Sequence, residues 1–143
     1  MFAPNRDEVR ALFYETWRKY GAGLALEGVE AIALQAILLH PEYHAVLADP
    51  ERTRARDYFP ELGETNPFLH LSLHVALEEQ RSIDQPAGVR AAIDALTRCC
   101  ADRHAALHEA IECLAEMVWR AQREGAPPDG DAYLRCLASR ALT

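Results

Sequence analysis

The sequence predicts an all-α protein, a helical bundle of about five to six helices with an internal His/Glu metal site. Three observations carry that expectation. Apolar residues recur at intervals of three, four and seven, while strand-like alternation is nearly absent. Short connections rich in Gly, Pro, Asn and Asp separate the amphipathic stretches, as in a bundle. Finally, every histidine belongs to a His-x-x-x-His pair.

Taken in order, Asn5 is a suitable N-cap, with Glu8 three residues on in the position of a capping box. The helix it opens runs from Arg6 to Tyr20, with Val9, Leu12, Phe13 and Trp17 on one stripe, and Gly21 and Gly23 end it. A second helix covers Leu26 to Leu39, with Glu30 in the middle of its apolar face. Pro41 cannot continue that helix but suits the first turn of a short one, Pro41 to Ala48. Residues 49 to 65 are polar, proline-bearing and aperiodic, a long connection of the kind that wraps a surface or serves function. Asn66-Pro67 is an N-cap followed by Pro at the first helical position, opening Phe68 to Ser82. Gln85-Pro86 begins the next helix, favoured as one long, bent element to Arg123, although Asp102 could cap a fresh start. Asp129 to Ala141 closes the chain.

At 143 residues, half of them apolar and 26% charged, the chain reads as one domain, 1–143, large enough for a real core. A net charge of -7 repels phosphate backbones, which argues against nucleic acid as a partner. No apolar run reaches the roughly 18 residues of a membrane span, and MFAPNRDEVR lacks the apolar stretch of a signal peptide. A cytoplasmic protein is expected. Cys99, Cys100, Cys113 and Cys136 have no Cys-x-x-Cys spacing and read as buried or half-buried thiols rather than a disulfide framework.

The histidines are His40, His44, His70, His74, His104 and His108. Chance placement would give roughly 0.2 pairs at a spacing of four, so three disjoint pairs are the dominant signal. Residues four apart share a helix face, and both imidazoles can reach one ion. Two pairs extend by a further turn to a carboxylate, as His70, His74 and Glu78, and as His104, His108 and Glu112. Leu73 and Leu77 flank the first stripe, and Leu107 and Ile111 the second, so both should face inward. Buried polar groups need partners, and a cation would satisfy many at once. On antiparallel helices His70 would face Glu112, His74 would face His108, and Glu78 would face His104; on parallel ones Glu78 would face Glu112. His40 and His44 would complete the coordination, with Glu30 the next candidate ligand. Ser72, on the opposite side of its helix from His70 and His74, should bond a carbonyl of that helix rather than act as a nucleophile.

Imidazole with carboxylate suits transition-metal ions, two of them, iron or zinc foremost. Such a dinuclear site would act on a small molecule by redox or by activating water. The other reading is a metal-holding, sensing or structural protein. The apolar C-terminal helix is available to a homodimer. In ligand types alone the set resembles hemerythrin-like and DinB-like metal-binding bundles, though order and spacing depart from the first and the six histidines here are twice the three of the second. The segments MFAPNRDEVR, LEGVEAIALQAILLHPEYH, TNPFLHLSLHVALEEQRSIDQP and DRHAALHEAIECL are similar to a small bacterial family of domain-of-unknown-function proteins. That resemblance implies one intact domain and carries no activity with it.

Overall fold

A computed structural model describes residues 6–142, and among them every regular element is helical. Among the described residues eight α-helices form instead of five to six, because the long connection and the longest expected helix each divide. Contacts gather into two compact units, Met1–Ala76 and Leu77–Thr143.

The first unit contains α1 (Arg6–Gly21), α2 (Val29–Leu38), a 3-10 turn (Pro41–Tyr43), α3 (His44–Ala48) and α4 (Pro50–Thr53). It also holds the first ten residues of α5 (Pro67–Ile83). The Asn5 cap falls outside the described residues. Val9, Leu12 and Trp17 of α1 do pack on a core that includes Phe13, Ile37, Leu47, Phe68, Leu71 and Val75. Asn66 caps α5 as its sequence suggests, its Oδ1 accepting from the amides of Phe68 (3.0 Å) and Leu69 (3.2 Å).

Residues 49 to 65 are less irregular than expected. Pro50 starts the single turn of α4, and a second 3-10 turn spans Pro60–Leu62. The segment is held by Arg10, which is 2% exposed on α1. Its guanidinium donates to the carbonyls of Arg54 (2.7 Å) and Arg56 (2.8 Å) and lies over the Phe68 ring at 4.6 Å. A planar fork with several donors can satisfy a loop's carbonyls where a point charge cannot. Nothing in the local pattern announced this anchor.

The second unit contains the end of α5, then α6 (Val89–Cys99), α7 (Arg103–Glu124) and α8 (Gly130–Ala141). The single long helix expected to run to Arg123 is broken. Cys100 is extended (φ -100°, ψ 140°), and Asp102 accepts from the His104 amide at 3.0 Å, capping a new start. No Gly or Pro marks the break; a side-chain cap is enough to make it. Gly125, with φ 61°, ends α7 in the left-handed conformation that glycine adopts without strain. Asp129 caps α8 through the Ala132 amide (3.0 Å).

The cysteine expectation needs correcting. Cys113 and Cys136 are bonded, joining the middle of α7 to α8, while Cys99 and Cys100 are free. The two partners are 23 residues apart, so their meeting depends on how α8 folds back along α7. Ser72 behaves as expected, its hydroxyl donating to the Phe68 carbonyl at 2.7 Å.

Candidate metal centre

The first-unit site begins at the end of α2. The last carbonyls of any helix lack intrahelical donors. Here two histidines supply them: His40 Nδ1 lies 2.7 Å from the Ala36 carbonyl and His44 Nε2 lies 2.9 Å from that of Ile37. Since a carbonyl only accepts, His40 carries its proton on Nδ1. In the neutral ring Nε2 is then the nitrogen that can accept or ligate, the atom a metal needs.

His40 is 1% exposed, and the rings around it are imidazoles. Helix α5 presents His70 and His74 one turn apart, with ring centroids separated by 4.9 Å. The His40 centroid lies 4.8 Å from that of His70 and 4.5 Å from that of His74. His40 Nε2 and His70 Nε2 are 3.1 Å apart. With the His40 proton on Nδ1, this contact is a hydrogen bond donated by His70. Two imidazole nitrogens on one tetrahedral ion, each about 2.1 Å from it, would stand about 3.4 Å apart. A shift of a few tenths of an ångström thus converts the hydrogen bond into a pair of metal ligands. Tyr43 stacks on His40 at 5.3 Å with an interplanar angle of 9° and holds the ring in plane. Burial, followed by the nearby Glu42 carboxylate, pushes the Tyr43 phenol above its usual range, so it stays neutral.

Two of the candidate ligands in this unit are engaged elsewhere. The His44 ring packs on Trp17 at 4.4 Å while its Nε2 caps α2. Glu30 accepts from Lys19 Nζ with both oxygens at 2.9 Å and from the Glu27 amide at 3.0 Å. The Lys19 hydrogen bond and then the amide hold its carboxyl below the ordinary value. Glu30 interrupts an apolar face because α1 offers it a lysine there.

In the second unit α7 carries His104 and His108 with ring centroids 4.2 Å apart, the geometry expected of residues one turn apart. The glutamates that extend the two stripes meet arginines. Glu112 accepts from Arg140 Nη1 at 2.6 Å, and Glu109 binds the same nitrogen. Glu78 lies 3.5 Å from Arg81, which is bound more closely to Asp94 at 2.8 Å. Arg140, 28 residues beyond Glu112, gave no local signal of this pairing. Tyr43 did give one, sitting between His40 and His44 in the HPEYH segment.

Within the first unit, His40 and His74 stand close enough to share a metal ion, and His70 lies 3.1 Å from His40. The donors are all imidazole nitrogens, a set suited to zinc, copper, nickel or iron and poor for magnesium or calcium. The internal site predicted to mix His and Glu is, within the first unit, nitrogen-only.

The family model described as "Domain of unknown function (DUF1841)" matches residues 5–139. No curated protein and no solved structure matches the chain.

Proposed function

We propose that this chain, which belongs to the DUF1841 family, is a metal-binding protein that holds one transition-metal ion, zinc or iron, on imidazole nitrogens. His40 and His74, both in the first unit, are the proposed ligands, and His70 stands beside His40 as a further donor. The observation that carries this reading is the fixed tautomer of His40. A buried imidazole whose Nδ1–H donates to the Ala36 carbonyl, and whose Nε2 meets another imidazole at 3.1 Å, is prepared for a cation.

One ion is favoured over two because the carboxylates suited to bridging, Glu78 and Glu112, are paired with Arg81 and Arg140. The proposed role is metal holding or sensing, with the ion tying histidine-bearing helices together. A small molecule acted on at the metal would need an open position, and His70 is the group placed to occupy or vacate one.

The test is metal content in protein made without an affinity tag, stripped with chelator and reloaded with zinc, cobalt or ferrous ion. One ion per chain is expected, with the cobalt form showing the visible absorption of a tetrahedral nitrogen site. Loss of binding in His40→Ala and in His74→Ala is also expected. Wild-type protein that retains no metal, or variants that retain it unchanged, would overturn the reading. A near-ultraviolet oxo-bridge band with two irons per chain would favour the dinuclear alternative.

A further inference from the structure

The Cys113–Cys136 bond does not lie sealed in the core. Both cysteines line a cleft of about 530 Å³ formed along α7 and α8. Cys113 is 1% exposed and Cys136 is half-buried, so Cys136 is the more accessible of the two from the cleft. The cleft's charges are largely engaged. Arg120 pairs with Glu116 at 2.9 Å, Asp129 caps α8, and Glu124 lies 3.8 Å from Arg123. Arg135, next to Cys136 in the chain, makes no ion pair among the described residues, leaving one cation to meet an anion.

We propose that this cleft is a thiol–disulfide exchange site for a small thiol bearing a carboxylate, and that Cys136 is the residue it modifies. The cleft has the size of a small-ligand site, roughly 300–1,000 Å³. The thiolate attacks Sγ of Cys136, forming a mixed disulfide and breaking the bond to Cys113. Cys113 leaves as a thiolate and takes a proton from solvent. A second thiolate then attacks the small-thiol sulfur of the mixed disulfide. It releases Cys136 as a thiolate, protonated in turn, and the disulfide of the small thiol. Two small thiols are oxidised and one protein disulfide is reduced, a balanced two-electron exchange. Arg135 holds the carboxylate of the incoming thiol, and burial of Cys113 directs attack to Cys136.

The probe is glutathione, with cationic cysteamine as the comparison thiol, followed by mass spectrometry after acid quenching. In the wild type, reduced glutathione should open the bond with the helical circular dichroism retained. In Cys113→Ser, oxidised glutathione should add a glutathionyl group at Cys136, beside whatever it adds at the free Cys99 and Cys100. In Arg135→Gln, exchange with glutathione should slow about threefold, the scale of losing one exposed ion pair, while exchange with cysteamine does not slow. Any of three results overturns the proposal: wild-type protein purified in air without the bond, label on Cys99 or Cys100 but not Cys136, or equal slowing for both thiols. Should Cys113→Ser fail to fold, trapping the wild-type mixed disulfide with a short glutathione pulse gives the same assignment.

Discussion

Replacing His40 by alanine separates the two roles its ring performs. The side chain is 1% exposed, donates to the Ala36 carbonyl at 2.7 Å, and contacts Tyr43, His70 and His74. Truncation strands a buried carbonyl, costing about 1–2 kcal/mol, and empties a ring-sized space, costing about 2–3 kcal/mol. A total of about 4 kcal/mol, at about 3 °C per kcal/mol for a chain of this size, lowers the metal-free melting temperature by about 12 °C. Metal linkage adds a second difference. Zinc at a hundredfold excess over its dissociation constant stabilises the wild type by about 2.7 kcal/mol, or about 8 °C, and this increment should vanish in His40→Ala. His40→Asn sharpens the comparison, because its amide nitrogen can replace Nδ1 against Ala36 while nothing replaces Nε2. It should recover about 1–2 kcal/mol of the loss yet stay insensitive to metal. Calorimetry with and without zinc on the three proteins reads both quantities. A wild type indifferent to zinc, or a His40→Asn variant that keeps the full increment, would refute the reasoning.

Arg10→Ala should destabilise the first unit by about 3 kcal/mol, since two carbonyls lose a charged donor and Phe68 loses its stacked guanidinium; Arg10→Lys should recover little, and a loss under about 1 kcal/mol by urea titration would contradict the anchor. Tyr133 is buried, donates to Gln80 Oε1 at 2.7 Å, and has its phenol pushed well above 10.0 by burial. The unfolded phenol therefore ionises first as pH rises, so stability should fall above about pH 10. Tyr133→Phe should flatten that decline in urea midpoints, and an unchanged slope would reject the assignment. Glu30 has the opposite sign: its carboxyl is depressed below 4.5, first by Lys19, so its contribution is complete above that value and lost as pH falls through the folded one. Glu30→Gln should make the fall in urea midpoint from about pH 5 to about pH 3 shallower, and identical curves would argue against the ion pair.

Much of this protein is written in local pattern. Caps such as Asn66 and Asp129 act over two or three residues, and apolar periodicity states which helix face is buried, so helix type and most boundaries follow from short stretches of chain. The histidine pairs belong to the same class, because a spacing of four places two imidazoles on one face of whichever helix carries them. That is why His70 with His74 and His104 with His108 meet as expected. Position 102 lies at the limit of this legibility. Its Asp is visible as a cap, yet whether a helix breaks there depends on burial that no neighbouring residue specifies.

What a polar side chain finally binds is set by distant parts of the chain. Glu112 looks like a ligand one turn after His108 until Arg140 arrives from α8, and Glu30 looks like one until Lys19 faces it from α1. Cys113 and Cys136 become partners only when α8 returns along α7. His40 and His44 share one spacing but part ways at the end of α2, where one ring turns to His70 and His74 and the other to Trp17. The sequence by itself determined the helices and the imidazole pairs, because those depend on neighbours within a turn. The tertiary structure alone decided which charges and sulfurs were already taken, because such pairings require surfaces that exist only after the helices pack.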